Sequence, residues 1–249
     1  MNINWYPGHM KKTLDNLKIS IKKVDLVIEI VDARIPISSR NPVLDEIISG
    51  KPRIIILNKA DISNEEENMK WKKKLENNKN GVLLVDAVNG IGLKNLRKTA
   101  DRLLKEKFDK DESKGIIDKT IKMMIVGIPN VGKSTLINTL ANRKGTRVGN
   151  KPGVTRQNQW INTGNQMELL DTPGVLWPKF EGDEGLNLAF TGAIKDEIMD
   201  VATLAVRLLE KLSVLYPEQL KSRFKLTDLD NKTGLELIEE AGKKRGCLI

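Results

Sequence analysis

Apolar residues in this chain come in two rhythms. Near-continuous runs at 24–35 (VDLVIEIVDARI), 53–57 (RIIIL), 81–85 (GVLLV) and 123–126 (MMIV) predict buried strands. Between the runs, helical spacing or polar helix-forming stretches predict helices. One follows the Pro7-Gly8 turn, with Leu14, Leu17 and Ile21 facing a core. Others cover 41–48, with Pro42 in the first turn, the very polar 64–78, and 92–107. Strands alternating with helices imply parallel β-α-β units. Residues 109–119 (DKDESKGIIDK) are charged and poor in core residues, so they predict a surface linker. Residues 159–162 and 167–170 predict a hairpin turning at Gly164-Asn165. From about 185 the pattern is helical, with Leu204, Leu208, Leu209 and Leu212 apolar. The expectation is an α/β domain over 1–184 followed by a small all-helical domain over 185–249.

Composition narrows the classes. No apolar run approaches the roughly 20 residues of a membrane span, and the N-terminus has no signal-peptide core. Cys247 is the only cysteine, so no intramolecular disulfide can form, and only Leu248 and Ile249 follow it, which is not a prenylation box. A cytoplasmic protein with no membrane partner is expected. The net charge of +9 favours an anionic partner, such as nucleic acid. Residues 1–23 concentrate it, with five lysines against Asp15, a net +4, and Lys243-Lys244-Arg245 form a second cluster. The chain stops soon after on apolar residues with nothing following to pack on, as an incomplete helical domain would.

The chemistry centres on 120–140. A strand runs into Gly127-Ile128-Pro129-Asn130-Val131-Gly132-Lys133-Ser134, then into a helix carrying Leu136, Ile137 and Leu140. This is the full G-x-x-x-x-G-K-[ST] pattern of a phosphate loop. Its glycines let the backbone wrap a phosphate, and the amides through Thr135 lie at the anion-attracting helix N-terminus. Lys133 reaches the β- and γ-phosphates and the Ser134 hydroxyl ligates magnesium. Asn58-Lys59-x-Asp61 ends a strand. A carboxylate there accepts from both guanine donors, N1–H and the 2-amino group, which adenine lacks. The lysine stem can lie along the base, and Asn58 can tie this loop to the phosphate loop. Asp171-x-x-Gly174 also ends a strand and offers a carboxylate for the magnesium shell and an amide for the γ-phosphate. The long polar loop 145–158 contains Thr155, the natural second hydroxyl ligand. Asp86-Ala87 stands where GTPases usually have Ser-Ala. The alanine amide would reach the guanine oxygen, with aspartate in place of the serine.

Ordinary GTPases run phosphate loop, switch threonine, DxxG, NKxD, then Ser-Ala. This chain places Asn58–Asp61 and Asp86-Ala87 first, so it resembles the circularly permuted GTPases. The segments WYPGHM (5–10), DARIPISSRNP (32–42), GIPNVGKST (127–135) and LLDTPGVLWPKF (169–180) are most similar to the bacterial ribosome-biogenesis GTPase A (YlqF/RbgA) family, over essentially the whole chain. The resemblance implies a mostly parallel sheet with helices on both faces, a C-terminal helical domain that binds ribosomal RNA, and a role in late assembly of the large ribosomal subunit. A monomer binding GTP and GDP with magnesium is expected.

Permutation gives Gly174 a different outlet. Val175–Gly185 leads from it into the helical domain, so loss of the γ-phosphate would release a segment tethered to that domain. Many GTPases follow DxxG with a glutamine that orients the attacking water. Val175 cannot hydrogen-bond water, so unaided hydrolysis should be slow. The resemblance implies that His9, the only histidine, takes this role when the ribosome positions it. An asparagine at the Asn130 position helps hold a potassium ion in related GTPases. Two other readings compete with a GTP hydrolase driving assembly. One is a GTP-gated RNA-binding adaptor with incidental hydrolysis, which Val175 favours. The other is an ATP-using small-molecule kinase, which Asp61 argues against.

Overall fold

In the computed structural model, residues 9–48, 50–116, 120–142, 159–180, 182–194 and 200–247 are described. The chain divides into two compact units, Met1–Glu184 and Gly185–Ile249.

In the first unit, α1 (His9–Ser20) precedes β1 (Leu26–Asp32), α2 (Pro42–Ile48), β2 (Arg53–Asn58), α3 (Glu65–Leu75) and β3 (Asn80–Val85). After these come α4 (Leu96–Leu103), α5 (Lys105–Glu112), β4 (Ile121–Gly127), α6 (Lys133–Asn142), β5 (Gln159–Gly164) and β6 (Met167–Asp171). Among the described residues the strands form one six-stranded sheet in the order β3-β2-β1-β4-β6-β5. All pairings are parallel except β5 with β6. The runs read as strands are buried along their length, β1 and β2 at every residue. Burial on both faces explains why they show no alternation.

Helices cover both faces. On one, Leu17 and Ile21 and then Leu44 and Ile48 of α2 pack with Val27, Met124 and Val126. Trp71 and Leu75 of α3 pack there with Val31, Ile55 and Val82. The residue before Val82, Gly81, turns to the opposite face, where a Cβ would strike the Thr99 methyl of α4 at 2.4 Å. The chain steps outward from β1 to β3, crosses back to β4, then steps outward the other way. The reversal between β1 and β4 creates a crevice at the carboxyl ends of the strands, where α/β sheets bind ligands.

Three expectations need correction. The helix expected over 92–107 is a short 3-10 turn at Leu93–Asn95 and then α4, interrupted at Leu104. The linker expected over 109–119 is helical as far as Glu112. No residue of α5 is buried, so it has no apolar stripe to read. It is held by Lys and Glu propensity and by pairs such as Lys107–Asp111 at 2.7 Å. The strand expected over 24–35 ends at Asp32, because Ile35 N–H turns back to the Asp32 carbonyl at 3.0 Å.

The second unit contains α7 (Glu184–Phe190) from its second residue on, then α8 (Val201–Leu215), α9 (Pro217–Phe224) and α10 (Gly234–Lys244). Its core is Leu209, Leu220, Leu226, Leu229, Leu237 and Ala241. Asp200 caps α8, and Thr233 with Glu236 forms a capping box on α10. Among the described residues no helix is long and apolar enough to cross a membrane.

Candidate functional site

The ends of β2, β3, β4 and β6 lie along one edge of the sheet, because these strands are parallel and run in register. Motifs scattered over more than a hundred residues of sequence therefore converge. Asn58 is the hub. Its Nδ2 donates to the Val131 carbonyl at 2.8 Å, and its Oδ1 accepts from the Ala87 amide at 3.1 Å. The tie between base loop and phosphate loop expected from sequence is present. Gly132 is what permits it: its φ is +107°, and a Cβ would lie 2.3 Å from Asn58 Nδ2.

Lys59 adopts a left-handed backbone, φ 62°. Its Nζ bridges Asp32 Oδ2 at 2.8 Å and the Asn130 carbonyl at 3.3 Å. Burial pushes the Asp32 carboxyl up, but hydrogen bonds and charge from Arg34 and Lys59 outweigh it and hold the carboxyl below the usual range. Asp61 sits in a 3-10 turn, Ala60–Ile62, exposed at the same end of β2.

In the Asp86-Ala87 loop both residues have partners within the protein. Asp86 Oδ1 accepts the amides of Val88 and Asn89, and Oδ2 accepts Asn89 Nδ2. The carboxylate, held below its usual range first by Asn89, shapes its own turn. The Ala87 amide expected to face a guanine oxygen is engaged by Asn58, and the Ala87 carbonyl accepts from Thr139 Oγ1 of α6 at 2.7 Å.

In the phosphate loop, Lys133 opens α6 and is buried. Its Nζ donates to the carbonyls of Gly127 at 3.1 Å and Ile128 at 2.7 Å. Burial lowers its pKa to about 8, and the charge of Asp171 partly offsets this. Asn130 also has a positive φ, 58°. Ser134 and Thr135 follow in the first turn of α6. Gly174 lies against this loop so closely that a Cβ would be 2.9 Å from Lys133 Nζ and from Pro129 N. The Val175 side chain is 1% exposed and belongs to the core with Leu17, Ile21 and Leu44. Beyond it Leu176, Trp177 and Phe180 are buried too, the two rings edge to face at 5.0 Å.

Among the described residues no cluster of three or more His, Cys, Asp or Glu could hold a metal by itself. The donors present, the Ser134 hydroxyl and the largely buried Asp171 carboxylate, fit a magnesium ion that takes its remaining ligands from phosphate and water. Thr155 and the loop 145–158 lie outside the described residues, as do residues 5–8 of the WYPGHM segment. His9 begins α1, but its side chain is not among those described. Sequence reading passed over Asn41 and Glu29. Glu29 is 1% exposed in the middle of β1 and meets Arg53 at 2.8 Å and Arg40 at 3.2 Å. The signal for Asn41 was the polar stretch DARIPISSRNP between two apolar runs, and for Glu29 a lone carboxylate inside the apolar run LVIEIVD.

A family model described as 50S ribosome-binding GTPase matches residues 122–240. The ribosome biogenesis GTPase A of Bacillus pumilus is 47% identical over 250 residues, covering 100% of this chain and 88% of that protein. The mitochondrial ribosome-associated GTPase 1 of Mus musculus is 37% identical over 219 residues, covering 84% and 66%. Among solved structures, GNP-bound YlqF from T. maritima superposes with a TM-score of 0.58 at 24% identity, covering 94% of each chain. A GDP-bound YlqF gives 0.56 at 25% identity, over 93% of this chain and 96% of that one. The motifs are permuted along the chain yet adjacent along the sheet, and the Bacillus relative aligns over the whole of this chain: this GTP-hydrolysing enzyme belongs to the ribosome biogenesis GTPase A family.

Proposed function

We propose that the protein hydrolyses GTP to GDP and phosphate in late assembly of the large ribosomal subunit, and that the ribosome stimulates the reaction. The observation that carries the site is Asn58 joining Val131 of the phosphate loop to Ala87 of the neighbouring loop. One side chain thereby sets the distance between the base reader and the phosphate cradle. In this reading Asp61 accepts from guanine N1–H and the 2-amino group, with the Lys59 stem along the base. The Ala87 amide, held in place by Asn58 Oδ1, shares its N–H with the guanine oxygen. Amides from Asn130 to Thr135 wrap the β-phosphate, and Lys133 leaves the carbonyls of Gly127 and Ile128 for the β- and γ-oxygens. The Gly174 amide meets the γ-phosphate. Ser134, Asp171 and Thr155 would hold magnesium, which when bound neutralises charge on the phosphate oxygens, and Asn130 would hold potassium.

Val175 is turned into the core and offers nothing to the attacking water. His9 takes that part when the ribosome positions it. The helical unit and the basic N-terminal segment supply the RNA contacts of a cytoplasmic, monomeric factor. The test is co-sedimentation with large subunits under a GTP analogue and under GDP, followed by subunit-stimulated turnover of His9→Ala. Binding should favour the GTP analogue. The variant should bind normally but turn over about 10²–10⁴-fold more slowly, the usual loss for a positioned proton-transfer or water-orienting group. Stimulated turnover within twofold of wild type would remove His9 from the chemistry.

The burial of Val175 also favours a second reading, a GTP-gated RNA-binding adaptor whose hydrolysis is incidental. Single-turnover rates with and without large subunits separate the two. No stimulation would select the adaptor.

A further inference from the structure

We infer that Asn41 is a positioning residue for the γ-phosphate side of the site. It grips the carbonyl of Val175 and thereby fixes the adjoining Gly174 amide; the inference rests on the reading of that amide as a γ-phosphate contact.

Asn41 is 2% exposed and lies at the end of the polar stretch that follows β1. Its Nδ2 donates to the Val175 carbonyl at 3.0 Å, across 134 positions of sequence. Its Oδ1 accepts from the Val43 amide at 3.0 Å, which caps α2. The Val175 amide donates in turn to the Gly127 carbonyl at 3.2 Å. The residue after Gly174 is thus pinned on both sides, to the first glycine of the phosphate loop and to Asn41.

The residue type identifies the role. A helix N-cap needs only an acceptor, and serine or aspartate supplies one. Asparagine adds a donor on the same planar group, and here that donor is aimed at Val175. The stretch behind Asn41 is stiff enough to transmit position. Asp32 takes Arg34 in two hydrogen bonds at 2.9 and 2.7 Å. Ser39 Oγ donates to the Ile35 carbonyl at 2.8 Å and accepts from the Asp32 amide at 3.0 Å. Arg40 binds Glu29 at 3.2 Å and Asp45 at 3.0 Å. The same Asp32 holds Lys59, so one frame reaches both the base loop and the segment after Gly174. A donor preorganised in this way binds its target without reorganising first.

The test compares the full chain with Asn41→Asp, Asn41→Ala and Gly174→Ala, titrated with GDP and with a non-hydrolysable GTP analogue. Asn41→Asp keeps the cap acceptor and removes the donor. It should weaken the GTP analogue about five- to tenfold, the effect of one buried hydrogen bond, and leave GDP within about twofold. Asn41→Ala should show the same loss of discrimination with a lower melting temperature. If Asn41→Asp loses both nucleotides in parallel, or loses neither, Asn41 is a structural pin and the inference fails. If Gly174→Ala loses discrimination and Asn41→Asp does not, the inference fails alone. If Gly174→Ala keeps it, the γ-phosphate reading fails and takes the inference with it.

Discussion

Asp61 and Lys133, both placed by the proposed function in one nucleotide site, are prepared differently. Asp61 is exposed on a short turn, free to meet a base edge, and its role depends on charge and acceptor geometry alone. Asp61→Asn replaces a double acceptor by a mixed donor and acceptor. GTP affinity should fall at least about tenfold, the cost of an unpaired buried donor, and xanthine nucleotides should bind better. A competition titration reads both, and unchanged GTP affinity would take Asp61 out of the site. Lys133 is instead buried on backbone carbonyls, with its ammonium destabilised by burial. Phosphate is a far better partner than two neutral carbonyls, so the proposed binding would relieve that penalty. Lys133→Ala should abolish tight triphosphate binding, and Ser134→Ala should make binding less responsive to magnesium. Normal GTP hydrolysis by the Lys133 variant would refute the assignment.

Among the elements, the fit of α10 against α8 can be tested at a single atom. Gly234, the first residue of α10, would place a Cβ 2.5 Å from the Val206 carbonyl and 2.8 Å from the Glu210 and Val206 side chains. In an open helix Gly→Ala is worth up to about 1 kcal/mol in the helix's favour. Here overpacking costs about 1–3 kcal/mol and should win. Thermal unfolding of Gly234→Ala should show a lower midpoint, and a rise would mean the helices separate freely. The elements also show where sequence is a poor guide. Strands buried on both faces announced themselves as apolar runs. The polar α5 did not, because nothing in it is buried. The break at Leu104 likewise left no mark in composition.

For the whole molecule the strongest sequence-level quantity is charge. The excess of +9, concentrated in the first 23 residues and at Lys243–Arg245, should act through phosphate neutralisation. Binding to large subunits should then weaken at least about tenfold between 50 and 200 mM salt. A flat response would reduce these lysines to a solvated surface. The two basic segments lie in different compact units, so charge reversal in each should reduce the salt dependence separately.

Sequence by itself determined the GTPase class. The phosphate-loop spacing, the Asn-Lys-x-Asp tetrapeptide and the Asp-x-x-Gly turn are local patterns, in which each residue type follows from the group it must bind. It also determined the α/β class, because strand burial and helical spacing are periodicities of neighbouring residues. Tertiary structure alone decided what depends on contacts between distant positions. Val175 was legible as a missing glutamine, but its burial beside Leu17 and Ile21 of the first segment was not. Asp86 stood at a familiar position, yet its carboxylate folds its own turn. Ala87 had a free amide on paper and a partner, Asn58, in space. Glu29 carried no motif, and Asn41 stood in the DARIPISSRNP segment without a role assigned to it. Their importance comes from which carbonyl and which guanidinium the sheet and α2 bring within 3 or so Å of them, and hydrogen-bond partners separated by 134 positions have no periodicity to betray them.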